Sequence, residues 1–400
     1  ASLYSIGYMR GNDEKHQTRF YACFAIAIGS ALGVAFSGNL LTLFVFYEVL
    51  SLSTYPLVTH KGNADAMAAG RLYLGILLST SIGLLLLAIL VTWQIAGSVD
   101  FVEGGLLRGE IGGTGTGLLL VLFIYGIGKA ALMPVHRWLP AAMVAPTPVS
   151  ALLHAVAVVK AGVFSVVKVV VYVFGLETLN ASFSANWLLV MASFTVITAS
   201  VIALRSDNLK RRLAYSTVSQ LSYVILAAAL YTPYAIMGAA LHIMAHAFGK
   251  ITLFFAAGSI YTAAHKTEVS QLAGIGRRMP WTMTAFAIGS LSMIGVPPMA
   301  GFISKWYMLL GASEAESWLA IIVIMISTLL NAAYFLPIVY SAFLEEEKHD
   351  DEDHHGHEHG EAPWQVVVPL CVTAGLTVLM FVFPALPLAL AEALAEGLMP

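Results

Sequence analysis

Long apolar stretches fill most of this sequence, and short polar segments separate them. A helix needs about 20 mostly apolar residues to cross roughly 30 Å of hydrocarbon. Eleven stretches meet this requirement, and we predict a membrane-spanning helix in each of them. Their limits are 20–37, 39–59, 69–95, 114–133, 149–176, 184–204, 211–231, 233–263, 279–313, 317–344 and 364–388. The pattern therefore predicts an all-α, polytopic membrane protein.

Prolines interrupt two of the predicted helices. Pro134 ends the fourth stretch, and Pro297 and Pro298 interrupt the ninth. A proline removes a backbone donor and kinks or breaks a helix. At membrane depth, the freed backbone groups must be covered by protein or by water. We therefore expect two broken helices whose ends contribute polar backbone to an internal pathway.

The composition agrees with a membrane location and disfavours several other classes of protein. The 400-residue chain is 58% hydrophobic and 11% charged, whereas soluble domains carry about 25% charged residues. Its net charge of −3 gives no indication of nucleic acid binding. Two cysteines, Cys23 and Cys371, are too few for a zinc or iron–sulfur site. We find no nucleotide or flavin motif and no signal peptide, and so expect no cofactor and no metal.

Lysine and arginine are distributed unequally between the loops. If the N-terminus is cytoplasmic and the spans alternate, 14 of these 20 residues face the cytoplasm and Arg108 alone faces the other side. The positive-inside rule supports this orientation. We therefore expect a multi-pass protein of the inner (plasma) membrane, with residue 1 and the loop 345–362 in the cytoplasm.

The order of the spans indicates an internal repeat. The first five spans (residues 20–178) and the next five (residues 184–344) have similar lengths, and each set places its broken, lysine-bearing helix fourth. Five is an odd number, so the two sets have opposite topology, which is typical of transporters with inverted repeats. Residues 1–19 then form an N-terminal cytoplasmic segment, and residues 363–400 a last spanning helix with its tail.

The loop between the tenth and eleventh spans is acidic and rich in histidine (EEEKHDDEDHHGHEHGE, residues 345–361). Histidine-rich tracts can bind metal. Like charges repel, however, and nothing in this loop can build a core. A solvated loop is therefore the preferred interpretation.

Five charged residues stand out inside predicted spans. They are Glu48, Lys129, Lys160, Lys250 and Lys305. A charge inside a membrane helix is costly and indicates a functional site by default. Snorkelling to the surface works only near helix ends, and Lys250 has long apolar stretches on both sides. An isolated buried lysine would lose its proton, but one beside Glu48 could keep it. We predict proton transfer by these residues, whereas Lys168, nearer a helix end, fits a functional or a structural role equally well.

Histidines accompany the buried lysines. His242, His246 and Lys250 are spaced four residues apart, so they share one helix face over about 12 Å. Two histidines can hold a metal, but the residues between them supply no third ligand. Neutral imidazole exchanges protons near neutral pH, which favours a proton path over a pair of core imidazoles. His154 either links two of the lysines or packs in the core.

These residues suggest a mechanism. Buried lysine, histidine and glutamate side chains, linked by water, form a lateral chain across the centre of the bilayer. Movement of a protonated lysine toward or away from Glu48 alters the charge that its neighbours experience. Such movement drives proton uptake and release, with access to each side through the broken helices.

Several motifs resemble those of a known family. They are Tyr47-Glu48, GKAALMPVHRWLP from Gly128, APTPVSALLHAVAVVKAG from Ala145, HIMAHAFGK from His242 and GVPPMAGFISKW from Gly295. Together they resemble the proton-conducting antiporter-like subunits of respiratory complex I, membrane-bound hydrogenases and Mrp-type cation/proton antiporters. The resemblance implies fourteen helices with two inverted five-helix repeats and proton movement along a central lysine–glutamate axis. The eleven predicted spans would then be helices four to fourteen, and three N-terminal helices would be missing.

The resemblance also assigns the ionisable residues to helices of the family fold. By motif position, Glu48 belongs to the fifth helix, Lys129 to the broken seventh and Lys160 to the eighth. In the same way, Lys250 belongs to the eleventh helix and Lys305 to the broken twelfth. The run AAMVAPTPVSALLHAVAVVKAGVF is most similar to the D-type subunit of the Mrp antiporters.

The resemblance implies a function without redox chemistry of its own. It favours a proton-translocating subunit of a multisubunit Na⁺ (or other monovalent cation)/H⁺ antiporter, surrounded by lipid and by other membrane subunits. The alternative is a proton-pumping membrane-arm subunit of an NADH:quinone oxidoreductase or a membrane-bound hydrogenase. A purely structural scaffold is disfavoured because it has no use for buried charges.

Overall fold

The computed structural model describes residues 1–347 and 360–398. Apart from two isolated β-bridges, the regular structure in these ranges is helical. The first seven longer helices are α1 (Ser2–Gly11), α2 (Gln17–Phe36), α3 (Leu40–Val58), α4 (Ala64–Ala96), α5 (Thr114–Gly126), α6 (Thr147–Phe174) and α7 (Trp187–Arg205). The next seven are α8 (Leu209–Ala228), α9 (Pro233–Ala264), α10 (Pro280–Ile294), α11 (Ala300–Glu314), α12 (Trp318–Leu344), α13 (Trp364–Val382) and α14 (Ala385–Glu396). The acidic, histidine-rich segment lies mostly outside the described residues.

The all-α, membrane-spanning architecture predicted from the sequence is confirmed. Within the described ranges, eight helical segments are long and apolar enough to cross a membrane, and each coincides with a predicted span. The other three predicted spans correspond to α5, to α8 and to the pair α10 and α11. The helical structure is interrupted after α5 and between α10 and α11, so α5, α10 and α11 are each shorter than a full span. Helix α8 is long enough, but it carries Lys210, Arg211 and Arg212 in its first turn and contains serines, a threonine and Gln220, so its hydropathy is low.

Both ends of the chain contain a helix that the hydrophobic pattern did not predict. Within residues 1–19, Ser2–Gly11 is helical, and it buries Tyr4 and Tyr8 against α9 and α13. The predicted last span, 364–388, ends at Val382, and a separate helix follows at Ala385–Glu396. Short helices are difficult to predict because too few residues define their periodicity.

The first break begins earlier than Pro134. Helix α5 ends at Gly126, so Lys129 lies in a single 3₁₀ turn, Gly128–Ala130, and not deep inside a helix as predicted. Two side chains satisfy the backbone there: Trp138 Nε1 donates to the Gly128 carbonyl at 3.0 Å, and the Lys129 N–H donates to Tyr47 Oη at 3.0 Å. These bonds compensate for the lost helical ones, which is why the chain can leave the helix at this depth.

The second break falls where the sequence predicted it. Helix α10 ends at Ile294, the chain passes through Pro297 and Pro298, and α11 begins at Ala300. Gly295 adopts a φ of +86°, which favours glycine because a side chain would be strained there. Lys305 lies in the second turn of α11, after the break, whereas Lys129 lies within its break.

A matching pair of backbone bonds occurs twice in the chain. The Leu40 N–H donates to the Val99 carbonyl at 2.9 Å and the Phe101 N–H to the Gly38 carbonyl at 3.2 Å. The equivalent bonds join Leu209 to Thr267 at 2.9 Å and Val269 to Asp207 at 2.8 Å. Asn39 caps α3 in the first pair and Asn208 caps α8 in the second. Helices α3 to α7 lie between Asn39 and Asn208 along the chain.

Helices α6 and α9 form the centre of the bundle. In their most apolar windows, 72% and 78% of the residues are buried, compared with 28–44% in the other six candidate spans. The loops 59–63, 206–208 and 265–279 meet at one end of the bundle, which we call the basic end because it holds Lys61, Lys266, Arg277 and Arg278. The central helices therefore bury most of their ionisable residues within the bundle, whereas Lys160 and Lys168 remain partly exposed.

Helix α6 passes very close to the first break at Gly162. A β-carbon at this position would overlap the backbone of Lys129 and Ala130. We expect Gly162→Ala to displace the break and to lower the free energy of unfolding by about 1–3 kcal/mol. The thermal denaturation midpoint of the purified protein in detergent measures this effect.

Gly29 provides a matched control on helix α2. A β-carbon there meets no atom within 4 Å, so Gly29→Ala should leave the midpoint unchanged or raise it slightly. Equal midpoints for the Gly162 and Gly29 variants would contradict a close approach at Gly162.

Candidate functional site

Lys129 is fully buried and bonded to helix α3. Its Nζ donates to the Tyr47 carbonyl at 2.8 Å and to Ser51 Oγ at 2.6 Å. The same Nζ lies 3.2 Å from the centre of the Tyr47 ring, a cation–π contact. Neutral groups therefore hold this lysine, and Ser51 Oγ also donates to the Tyr47 carbonyl, at 3.2 Å.

Glu48 lies next to this site but forms no ion pair with the lysine. It is partly exposed on α3, and its Oε1 is buried without a hydrogen-bond partner. Among the described residues, the ion pairs within 4.0 Å involve only residues outside the helix centres. Opposite charge predicts a lysine paired with the Glu48 carboxylate. In the structure, Lys129 Nζ instead bonds to the carbonyl of the preceding residue, Tyr47.

Lys160 joins the two central helices. Its Nζ lies 2.5 Å from Nδ1 of His246, which is on α9. Lys160 also lines an apolar crevice of about 240 Å³ between α2, α6 and α9, together with Ala31, Phe164 and Ile243. An imidazole nitrogen that accepts from an ammonium group can take its proton, so this contact pairs two groups that exchange protons.

Lys305 lies against the end of helix α10. Its Nζ donates to the carbonyls of Ile294 at 2.8 Å and Met293 at 3.2 Å, and to Thr328 Oγ1 at 3.2 Å. The last carbonyls of a helix lack intrahelical partners and carry the negative end of its dipole. The second break thus creates the site that accepts this lysine.

A hydrogen-bonded path leads from Lys250 toward Lys305. Lys250 Nζ donates to Ser216 Oγ at 2.8 Å, and Ser216 Oγ lies 2.9 Å from Tyr334 Oη. Tyr334 Oη lies 2.5 Å from Asn331 Oδ1, and Asn331 Nδ2 donates to the Met293 carbonyl at 3.3 Å. This is the same carbonyl that accepts from Lys305, so α8, α9, α10 and α12 share one network.

His242 belongs to that network. Its Nε2 lies 2.9 Å from Gln220 Oε1 and its Nδ1 2.9 Å from Ser304 Oγ, next to Lys305 on α11. Gln220 Nε2 in turn donates to the Met293 carbonyl at 3.3 Å. Both ring nitrogens of His242 are therefore engaged by side chains, which leaves neither free to bind a metal together with His246.

His154 is fully buried but lacks hydrogen-bond partners at both ring nitrogens, and Ser150 Oγ, one turn earlier on α6, also lacks a partner. The centre of the His154 ring lies 4.9 Å from that of Phe254. The remaining nitrogen of His246, Nε2, is likewise unpaired in the protein. Buried polar atoms of this kind usually bind ordered water. The space around the side chains of Ser150, His154 and His246 can therefore be hydrated.

Lys168 is placed separately from the other lysines. It lies near the end of α6 opposite to the basic end, where its Nζ donates to the Ser37 carbonyl at 2.5 Å. The rings of Phe101 and Phe164 lie 4.3 Å and 5.4 Å from the same atom. These contacts explain how a lysine is accommodated there, and they connect it to none of the proposed proton-transfer residues.

The neutral members of the network were not predicted from the sequence. These are Tyr47, Ser51, Ser216, Gln220, Thr328, Asn331 and Tyr334. A usable signal was present in α8, where Ser216 and Gln220 are four residues apart and so share a face. Asn331 was also detectable, because an amide in the apolar helix α12 is costly unless it is bonded.

The structure defines a class of protein, a polytopic helical membrane protein with a buried lysine and histidine network beside two broken helices. Residues 37–331 match the family described as NADH:quinone oxidoreductase/Mrp antiporter, transmembrane. This match covers well over half of the sequence. The chain belongs to this proton antiporter family, as the motifs indicated.

Curated relatives include members of both kinds of complex. NADH-quinone oxidoreductase subunit N of Desulforudis audaxviator is 36% identical over 86% of this chain and 68% of that protein. A probable K⁺/H⁺ antiporter subunit of Rhizobium meliloti, of the A/B type, is 32% identical over 99% of this chain and 40% of that protein. An Na⁺/H⁺ antiporter subunit of Alkalihalophilus pseudofirmus, of the D type, is 27% identical over 85% of this chain and 69% of that protein.

Solved structures share the fold. One chain of the Mrp complex from Dietzia sp. DQ12-45-1b superposes with a TM-score of 0.80, at 22% identity, over 99% of this chain and 83% of that chain. At this identity, the likeness concerns the fold alone. Across four of the curated relatives, the chain spans between 40% and 68% of their length.

The hydroxyl of Ser216 connects Lys250 to Tyr334, so its removal should be costly. We expect Ser216→Ala to lower the free energy of unfolding by about 1–3 kcal/mol, because a buried ammonium group loses its acceptor. Denaturation midpoints in detergent measure the change. Ser222→Ala is the control, since Ser222 is buried on the same helix with an unpaired Oγ. Equal midpoints for the two variants would show that the Lys250–Ser216 bond does not stabilise the protein.

Proposed function

We propose that this chain translocates protons within a multisubunit membrane complex, through Glu48, Lys129, Lys160, Lys250 and Lys305. One observation carries the proposal: the four lysines are bonded to hydroxyls, carbonyls or an imidazole, and none of them to a carboxylate within 4.0 Å among the described residues. A carboxylate partner would stabilise the charged lysine and retain its proton. Neutral partners make release of that proton far less costly.

The proposed path has three parts. Lys129 with Glu48 forms the first, and Lys160 with His246 forms the second. Lys250 and Lys305 form the third, together with His242. Ser216 and Tyr334 carry hydroxyls that both donate and accept, so they can relay a proton from Lys250. His154 and water at the unpaired nitrogens would connect the parts, which is the role we assign to this histidine.

The two breaks would give this path its exits. Each frees backbone groups at membrane depth, next to Lys129 in one case and next to Lys305 in the other. Discontinuous helices near the midplane are a recurrent feature of transporters, where their ends bind the transported ions. We assign the basic end to the cytoplasm, following the distribution of lysine and arginine.

We propose that the complete complex exchanges a monovalent cation, Na⁺ or K⁺, for protons. The named activities of the Rhizobium and Alkalihalophilus relatives support this reading, as does the match over 99% of the chain in the first case. A membrane-arm component of a redox complex is the second candidate, supported by the 36% identity to NADH-quinone oxidoreductase subunit N. In either complex, we expect this chain to move protons beside other membrane subunits and to perform no redox step.

Replacement of Lys129 should stop proton movement without preventing assembly. We expect Lys129→Ala to reduce proton-coupled flux by about a hundredfold or more, because the proton loses a carrier in the first part of the path. Proton uptake by vesicles that contain the assembled complex measures the flux. Lys15→Ala, on an exposed loop, is the control and should retain full flux. Wild-type flux in the Lys129 variant, with the complex intact, would contradict the proposal.

The same vesicles distinguish the two complexes. A cation/proton antiporter should acidify or alkalinise the lumen when a Na⁺ or K⁺ gradient is imposed, without NADH, formate or ferredoxin. A redox complex should show proton movement only after an electron donor is added. Flux that depends entirely on the donor would overturn the antiporter assignment and leave proton transfer by this chain in place.

A further inference from the structure

A second feature, separate from the proton path, lies at the basic end. A cavity of about 250 Å³ opens there between α1, the segment before α6, and the ends of α8 and α9. Three lysines from three different segments line it: Lys61, Lys210 and Lys266. We call it the lysine cavity. It is far larger than the ~15 Å³ that one water needs, so it can hold a polyatomic ligand.

The lining of the lysine cavity has an excess of positive charge. Among residues 1–347 and 360–398, no aspartate or glutamate lines it. Lys266 lies 3.3 Å from Glu347, but that carboxylate is shared with Arg278, 2.8 Å away. Lys61 and Lys210 have no ion pair within 4.0 Å among the described residues. Glu14 does not line the cavity; it contacts His60 at 3.9 Å and attracts the Lys210 ammonium group without forming an ion pair with it.

The position of Lys210 is fixed by the fold. Lys210 Nζ donates to the Ala145 carbonyl at 2.6 Å, which directs it across the cavity from the first turn of α8. Tyr8, Thr147 and Tyr261, whose side chains carry hydroxyl groups, also line the cavity. Thr147 donates to Tyr8 Oη at 3.4 Å, so the Tyr8 hydroxyl remains available as a donor. Ammonium and hydroxyl donors thus converge on one volume.

We propose that the lysine cavity binds a phosphate group, either from an anionic phospholipid or as free phosphate. Lysines that converge at the edge of a low-dielectric bundle repel each other, and a bound anion removes that repulsion. Lysine binds phosphate as a point charge, and tetrahedral phosphate oxygens can accept from several donors at once. Basic pockets between membrane helices are known to hold anionic head groups. Tyrosines at the membrane surface suit the same boundary.

Equilibrium binding to the assembled complex in detergent tests this proposal. The probes are ³²P-labelled inorganic phosphate and labelled short-chain phosphatidylglycerol, with phosphatidylcholine as the zwitterionic comparison. We expect saturable binding of about one equivalent per chain for at least one of the two anionic probes, and none for phosphatidylcholine. Binding of phosphatidylglycerol alone identifies a lipid site, and binding of free phosphate alone identifies a soluble anion.

Variants locate the bound anion. Lys61→Gln combined with Lys210→Gln should weaken binding at least tenfold. Arg10→Gln combined with Lys15→Gln removes the same charge from exposed positions of the N-terminal segment and should change the affinity less than twofold. If the first pair prevents assembly, Lys61→Gln alone serves, because Lys61 is an exposed loop residue.

Three results would overturn the proposal. One is the absence of saturable binding of both anionic probes to the unmodified complex. Another is an affinity within twofold of the original after loss of Lys61 and Lys210. The third is an equal loss of affinity in the Arg10 and Lys15 control, which would indicate attraction by net charge and no defined site. None of these results bears on proton transfer, because the lysine cavity contains none of the proposed proton-transfer residues.

Discussion

A buried ammonium group must find hydrogen-bond acceptors, and this constraint governs the interior of the bundle. Isolated in hydrocarbon, such a charge would be prohibitively costly. Each of the four central lysines meets the requirement with neutral partners: Lys129 on α3, Lys160 on His246, Lys250 on Ser216 and Lys305 at the end of α10. Ser216 of α8 and Thr328 of α12 meet the same need, because each accepts from a buried lysine. The arrangement stabilises the lysine side chains inside the bundle without a carboxylate that would retain their protons.

The sequence predicted the architecture because hydrophobic length and periodicity are local properties. The eight most apolar spans and the break at Pro297-Pro298 could all be read from it directly. The true position of Lys129 could not, because α5 ends at Gly126 through contacts made by Tyr47 and Trp138, which are distant in sequence. Pro134 was the visible signal, but it only follows the break. A tertiary contact decided where the helix ends.

The partners of the lysines could not be predicted from the sequence either, because they too are set by tertiary contacts. Lys129 and Tyr47 are 82 residues apart, and Tyr334 and Ser216 are 118 apart. Hydrophobic periodicity says which face of a helix is buried but not which residue it meets. The expectation that Glu48 pairs with a lysine rested on opposite charge alone; the structure favours a carbonyl at shorter range. Polar residues inside apolar helices are therefore good indicators of a network and poor indicators of its connections.

The acceptors at both broken helices are largely main-chain carbonyls: Tyr47 at the first, and Met293 and Ile294 at the second. A carbonyl is present whatever side chain the residue carries. Tyr47 also contributes its side chain, but Met293 and Ile294 contribute only their carbonyls, so alanine scanning would not reveal that these two residues accept from Lys305. For the same reason, other side chains at Met293 and Ile294 would leave the carbonyls that accept from Lys305 in place. Only a change to the backbone itself, such as replacing an amide by an ester, would show how much these carbonyl acceptors contribute to holding the lysines.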